Sequence, residues 1–321
     1  MAVEIDGSYG ESGGQILRTS LTLSAITQKP FRISNIRAKR SNPGLRSQHL
    51  TACKAVRKVC RGTLTGAELE STELSFEPGP IVGGKYDLDI GTAGSVTLVA
   101  QTLIPILLKA SKPSELSITG GTHVMKAPGY DYFERVFLPA IRLFGADVET
   151  KLIRTGYYPK GGGKIELTVK PSQLKGHSSW LQDEHVTVLI RLADLPLKIA
   201  IREKKVFMEN DISHIMIREE HALSPGNAVT AWRGFRGAYS LGEKGKRADI
   251  VAKEALDALN AEKWDVDMHL ADQLLLYAAL AEGPSSYRAS QVTEHLKTNA
   301  YVISRFIERK IDLDEGKIRV D

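Results

Sequence analysis

The sequence predicts an α/β (α+β) fold: three repeated βαβαββ units form a large domain, and a smaller α/β domain is inserted in the third unit. Three observations lead there. Stretches that alternate every two residues and stretches with helical periodicity follow one another in the same order three times. SQHLTACKAV near the N-terminus matches TEHLKTNAYV near the C-terminus, the trace of an internal repeat. Residues 183–264 break the order with a strand-and-helix pattern of their own.

The first unit begins at the glycine-rich turn DGSYGESGGQ. A helix, ILRTSLTLSAIT, a strand, PFRISNI, and a second helix, PGLRSQHLTACKAVRKVC, follow, and TLTGAEL with ELSFEPG reads as the closing strand pair. In the second unit LDIGTAGS is strand and turn, VTLVAQTLIPILLKA helix, SELSITGG strand and APGYDYFERVFLPAIRLFGA helix. ADVETKLI and GKIELTVK close it through the turn RTGYYPKGG. The insert reads as strands HVTVLIRL and LKIAIREKKV, helix ISHIMIREEHA, strands AVTAWRGF and GAYSLGEKG, and helix ADIVAKEALDALNA. KPSQLKGHSSW and NAEKWD serve as linkers. The third unit has VDMHL as strand, ADQLLLYAALAEG as helix, YRAS as strand, VTEHLKTNAYVISRFIE as helix, and KIDLDEG with KIRVD as final strands. The expected domains are 1–182 plus 265–321 and, inserted, 183–264. Insertion at an exposed turn is tolerated because chain ends often lie close together.

The 321 residues are 42% hydrophobic and 25% charged, the balance of a globular protein able to bury a core unaided. Two cysteines, Cys53 and Cys60, favour a reducing compartment and give no disulfide framework or zinc site. MAVEIDGSYG lacks a signal-peptide pattern, and no uncharged apolar run reaches ~18 residues. A cytoplasmic protein without a membrane partner is expected; oligomeric state is left open.

Net charge is +5, but its distribution says more. From Ser12 to Ala67 there is no acidic residue, while Arg18, Lys29, Arg32, Arg37, Lys39, Arg40, Arg46, Lys54, Arg57, Lys58 and Arg61 all occur there. Such a single-sign field concentrates polyanions. In RAKRSNPGLR the cations lie in a loop that feeds a helix N-terminus, a natural phosphate cradle. A solvated basic face is the plainer reading.

GPIVGGKY has the glycine-lysine spacing of a P-loop, but Tyr86 stands where a Ser or Thr would hold magnesium, and a strand follows instead of a helix. A hairpin turn is expected instead. GESGGQILR offers backbone amides, the carboxylate of Glu11 and a helix carrying Arg18, which suits an anion and a hard cation, or else a plain tight turn. GTAGSVTLVAQ repeats the device without the carboxylate and carries Gln101. In HLADQLLLYAAL, Asp272 fits an N-cap and, with Gln273, also suits nucleotide recognition at a strand-to-helix junction. Thr293 is the expected cap of the last long helix, so His295 falls in its first turn. There the positive helix end disfavours imidazolium and leaves a neutral imidazole able to attack phosphorus. His49 occupies the same slot in the first unit, and periodicity does not choose between the two.

GESGGQILR, IRAKRSNPGLRSQHLTA, GTAGSVTLVAQT, GGTHVMKAPGYDY, YYPKGGG, HLADQL and EHLKTN, in this order, resemble the RNA 3′-terminal phosphate cyclase family along essentially the whole chain. The resemblance implies an ATP-dependent reaction on RNA with a 3′-terminal phosphate. A histidine becomes adenylylated, AMP moves to the RNA 3′-phosphate, and the 2′-hydroxyl displaces it to give a 2′,3′-cyclic phosphate. The family's H-L-x-T-N stretch makes His295 the nucleophile and leaves His49 to the site or the RNA. It implies Glu11 for a divalent metal (Mg or Mn), and Gln101, Pro128, His269, Leu270, Ala271, Asp272 and Gln273 for the nucleotide. It implies Arg18, Arg37, Arg40, Arg46 and Gln48 for phosphates of ATP or RNA. His269 departs from the aromatic residue usual before L-A-D-Q. The rival readings are a non-catalytic RNA-binding relative in ribosome assembly, which should lack the nucleophile, and an enolpyruvyl-transferase-like enzyme, which needs no acid-free basic stretch.

Overall fold

The computed structural model describes residues 2–321. In the first unit β1 (Val3–Asp6), α1 (Gly14–Thr27), β2 (Phe31–Ser34), α2 (Ser47–Val59), β3 (Thr63–Thr65) and β4 (Leu74–Glu77) follow in that sequence. Their sheet has the order β1-β2-β4-β3, with β1 and β2 parallel and the other pairs antiparallel. β2 buries Phe31 and Ile33 and turns Arg32 outward, the alternation of a strand with one covered face.

The second unit repeats this arrangement. It contains β5 (Lys85–Asp89), α3 (Val96–Leu107) and β6 (Ser114–Gly120). Then α4 (Tyr130–Tyr132) runs through a π-helical turn (Phe133–Phe137) into α5 (Leu138–Leu143), and β7 (Asp147–Arg154) and β8 (Gly163–Lys170) close the sheet in the order β5-β6-β8-β7. GPIVGGKY is neither P-loop nor hairpin. Residues 79–84 are an irregular link and Lys85 and Tyr86 begin β5; β4 and β5 belong to different sheets, so the two strands do not pair.

Residues of the insert form β9 (Thr187–Ala193), α6 (Lys198–Met208), β10 (His214–Glu220), β11 (Gly226–Arg233), β12 (Arg236–Leu241) and α7 (Ala248–Ala261). Their sheet order is β10-β9-β11-β12, and Val188, Ile190, Phe207, Val229 and Leu256 make a core separate from the main one. Two expected elements are exchanged. LKIAIREKKV is helix α6, because Ala200, Glu203 and Phe207 bury one face at helical spacing. ISHIMIREEHA is strand β10, where Ile215 and Ile217, two apart, pack on that core. Ile212 and Ile215 also stand three apart, so a short apolar run fits either period and its partners decide.

The third unit has α8 (Met268–Leu280), β13 (Ser285–Arg288), α9 (Glu294–Phe306), β14 (Ile311–Asp314) and β15 (Lys317–Val320), in a three-stranded sheet β13-β15-β14. The strand expected at VDMHL does not form. Asp267 is instead the N-cap of α8, its carboxylate accepting from the backbone N–H groups of His269 and Leu270. The Tyr132 hydroxyl and the Gly237 amide also donate to it, so one buried carboxylate joins the second unit, the insert and the third. Asp131 works alike: it accepts two bonds from the Arg191 guanidinium (2.7 and 2.8 Å) and contacts His123 at 3.0 Å. Burial pushes its carboxyl up, but His123 and Arg191 outweigh that and hold it well below the usual range.

Helices α1, α2, α3, α8 and α9 pack on one another at the centre, with the sheets around them. No helix among the described residues is long and apolar enough to cross a membrane.

Candidate active site

The N-terminal ends of α1, α2 and α9 meet at one place. α1 starts from Gly13 with no side chain capping its free amides, which leaves them for an outside anion. A Cβ at Gly14 would lie 2.3 Å from His49 Nε2 and 2.9 Å from an Arg18 guanidinium nitrogen, so any larger residue would push these side chains away. The turn before it holds Glu11, whose Oε2 lies 3.1 Å from the Arg40 guanidinium and 3.0 Å from His295 Nε2. His295 is placed there by its helix. Thr293 caps α9 by accepting from Leu296 N–H at 2.9 Å, as expected, and His295 follows in the first turn. Burial, with the nearby charges of Arg18 and Arg40, lowers its pKa below the ordinary value against the opposite pull of Glu11. That shift favours the neutral ring.

The two repeat-related histidines end in different surroundings. The side chain of His295 is 42% exposed, whereas His49 is only 5% exposed. His49 Nδ1 accepts from the Arg46 backbone N–H at 3.2 Å, so its proton sits on Nε2, facing Gly14. Burial, then the charges of Arg18, Arg37 and Arg46, lowers its pKa to about 3. It is a neutral wall residue under the N-terminus of α1, and it is not open to a large electrophile.

One amide ties the helices behind the site. Asn299, buried one turn after His295, accepts at Oδ1 from Gln15 Nε2 (3.1 Å) and from the Thr19 hydroxyl (2.8 Å), and donates to the Asp272 carbonyl at 2.8 Å. It thus fixes α9 against α1 and α8. Sequence reading named Asn299 only as part of EHLKTN and missed its partners Gln15 and Thr19. A polar residue at a helix position that otherwise faces the core was the one signal available. Asp272 is not an N-cap. It lies in the second turn of α8, 7% exposed, bonded to the Thr293 hydroxyl. Burial, reinforced by the charges of Asp267 and Glu11, raises its pKa to about 8, so it is mostly a neutral acid at pH 7.

The remaining residues divide. Gln273 accepts from Gln101 Nε2 at 2.8 Å, joining α8 to α3, and both are part-exposed. The Pro128 carbonyl accepts from Thr97, and Gln48 Oε1 accepts from the Ser95 N–H at 3.1 Å. His269 is exposed on the first turn of α8. Leu270 and Ala271 are fully buried in the core, so their side chains seat the helix and cannot line a nucleotide pocket. Among the arginines, Arg18 and Arg40 face the site, and burial brings the Arg18 pKa down to about 10. Arg46 pairs with Glu70 at 2.9 Å, and Arg37 donates to the carbonyls of Asn42 and Gly44, closing the RAKRSNPG loop. Cys53 and Cys60 are free and buried. No cluster of three or more His, Cys, Asp or Glu side chains among the described residues could form a protein-only metal cage.

This arrangement (an accessible neutral imidazole, one carboxylate, guanidinium groups and uncapped helix amides) suits transfer chemistry at phosphorus. Residues 9–313 match the family model described as RNA 3′-terminal phosphate cyclase. The chain is 44% identical to the Archaeoglobus fulgidus RNA 3′-terminal phosphate cyclase, over 98% of this chain and 99% of the relative. It is 41% identical to the Methanosarcina barkeri protein of that name, over 99% of each. It is also 41% identical to one from Nitrosospira multiformis, over 95% of this chain and 91% of the relative. These matches cover nearly the whole chain: the chain belongs to the RNA 3′-terminal phosphate cyclase family.

Proposed function

We propose that this protein converts an RNA 3′-terminal phosphate to a 2′,3′-cyclic phosphodiester at the expense of ATP, with His295 as the nucleophile. The observation that carries this reading is the accessible imidazole of His295 in the first turn of α9, 3.0 Å from Glu11.

In the first step the unprotonated nitrogen of the neutral His295 ring attacks the α-phosphorus of ATP, and Glu11, in contact with Nε2, takes the proton that the ring sheds as its charge builds. The N–P bond forms as the P–O bond to pyrophosphate breaks. Arg18, Arg40 and the α1 amides offset the negative charge of the triphosphate. Next an oxygen of the RNA 3′-phosphate attacks the same phosphorus and the N–P bond breaks, leaving AMP on the RNA end. The vicinal 2′-hydroxyl then attacks the 3′-phosphorus, its proton passes to solvent, and AMP leaves. Gln101, Gln273 and Asp272 are read as the groups that hold the nucleoside attached to that phosphate: Gln101 bonds Gln273 across α3 and α8, and Asp272 bonds Thr293, two residues before His295.

A divalent ion, magnesium or manganese, supplies further charge neutralisation when bound. Glu11 is the carboxylate suited to it: one protein oxygen completed by phosphate oxygens is a usual magnesium set. The insert, 183–264, is read as a domain outside the transfer chemistry, since it has its own core and none of the site side chains lies in it.

Incubation with α-labelled ATP tests the proposal. Acid-labile label should remain on the protein, and addition of 3′-phosphorylated RNA should release it as AMP with cyclic RNA ends. A protein that binds RNA but never takes label would be a binding relative. One that takes neither would point away from nucleotidyl transfer.

A further inference from the structure

Of the eleven cations in the acid-free stretch, seven are engaged by the protein itself. Arg32, Arg40 and Arg46 hold Glu73, Glu11 and Glu70, and Lys29, Lys39, Arg37 and Arg18 donate to carbonyl oxygens. Lys54, Arg57, Lys58 and Arg61 make no ion pair among the described residues and are exposed, Lys58 lying over the Tyr86 ring. The first three fall at 54, 57 and 58, helical spacing that puts them on one face of α2. That face is one wall of a groove of about 560 Å³, which starts at Ser47 beside the active-site end of the helix. The other wall is β5, the outer strand of its sheet, with Asp87 and Asp89, and the floor is apolar, including Leu50, Leu88 and Ile90.

We propose that this α2–β5 groove carries the body of the RNA, the nucleotides upstream of the reacting 3′ end; the proposal rests on the cyclase reading above. The asymmetry of the walls fits a single strand. Phosphates meet the unpaired cations of α2, which run ~16 Å from the site at 1.5 Å per residue. Asp87 and Asp89 repel phosphate and accept from 2′-hydroxyls and base N–H groups, while the apolar floor takes base faces. Asp87 already accepts from Ser117 and Asp89 from the Gly91 amide, so both carboxylates are held in place. None of these groups touches the nucleophile, so the groove sets affinity for longer RNA and leaves the chemistry alone.

The test is the triple charge reversal K54E/R57E/K58E, all exposed positions whose change should leave the fold intact, as circular dichroism and Tm will report. Three readouts are compared: self-adenylylation, cyclisation of a dinucleotide 3′-phosphate, and cyclisation and anisotropy-monitored binding of a dodecamer 3′-phosphate. The first two should stay within about twofold. Dodecamer affinity should fall at least ~10-fold, and its log–log salt slope should shrink by ~0.7 for each phosphate that is no longer neutralised. An unchanged dodecamer slope and affinity would overturn the groove assignment and leave it to another partner, such as an extended peptide on the free edge of β5. An equal loss for dinucleotide and dodecamer would overturn it too, because the effect would then lie at the reacting end. If wild-type protein fails to adenylylate, the cyclase reading fails, but the dodecamer binding arm still decides the groove.

Discussion

Glu11 Oε2 lies midway in a chain of charge, 3.0 Å from His295 Nε2 and 3.1 Å from the Arg40 guanidinium. The carboxylate raises the basicity of the imidazole, while burial, Arg18 and Arg40 lower it further, and the net shift is downward. In the proposed mechanism the neutral form is the nucleophile. Adenylylation should therefore rise with pH and level off below the ordinary imidazole value. Glu11→Gln removes the one raising influence, so the acid limb should move to lower pH while the plateau rate drops by about 10²-fold for loss of a proton acceptor. A pH–rate profile of self-adenylylation checks both. An acid limb that moved to higher pH would refute the assignment.

His295→Ala should abolish adenylylation, whereas His49→Ala should retain part of it. The two residues are related by the repeat but not by exposure: the His295 side chain is 42% exposed and His49 is buried. Loss of His49 opens space under Gly14 and loosens the α1 turn, so its rate should fall without the label disappearing. Full labelling of a folded His295→Ala protein would remove His295 from the mechanism.

Asn299→Ala should slow adenylylation and lower stability by ~1–3 kcal/mol, since it leaves Gln15, Thr19 and the Asp272 carbonyl without their common partner. Urea unfolding gives the stability and quenched-flow labelling the rate. Asn299→Asp should be harsher than Asn299→Ala, because a carboxylate cannot donate to that carbonyl. If neither variant altered rate or stability, the three-helix tie would be dispensable.

A separate test concerns the insert. Glu203 is fully buried, one oxygen accepting from Asn227 at 3.1 Å and the other unpartnered, and burial raises its pKa to about 8. With the folded value above the unfolded 4.5, the folded state binds more protons in between, so stability falls as pH rises from about 4.5 through about 8. Glu203→Gln should cancel this contribution. The Tm difference between variant and wild type should move in the variant's favour from pH 5 to pH 9, by the equivalent of roughly 4 kcal/mol. A difference independent of pH would mean that Glu203 does not titrate in that range.

The sequence by itself determined what depends on neighbours along the chain. The alternation of Phe31 and Ile33, the Thr293 cap three residues before Leu296, and the glycines before α1 fix strand, helix start and turn locally, and three runs of them specify three units. EHLKTN and GESGGQILR placed His295 and Glu11 near helix N-termini for the same reason. Tertiary structure decided the rest. LKIAIREKKV and ISHIMIREEHA each carry a pattern that fits both periods, and only packing on Val188, Ile190 and Phe207 made one a helix and the other a strand. VDMHL could not be a strand once Asp267 was recruited by Tyr132 and Gly237, residues far away in sequence. The difference in exposure between His49 and His295 followed the same logic. Exposure is a property of what packs around a residue, and His49 lies beneath Gly14 while His295 stays open beside Glu11.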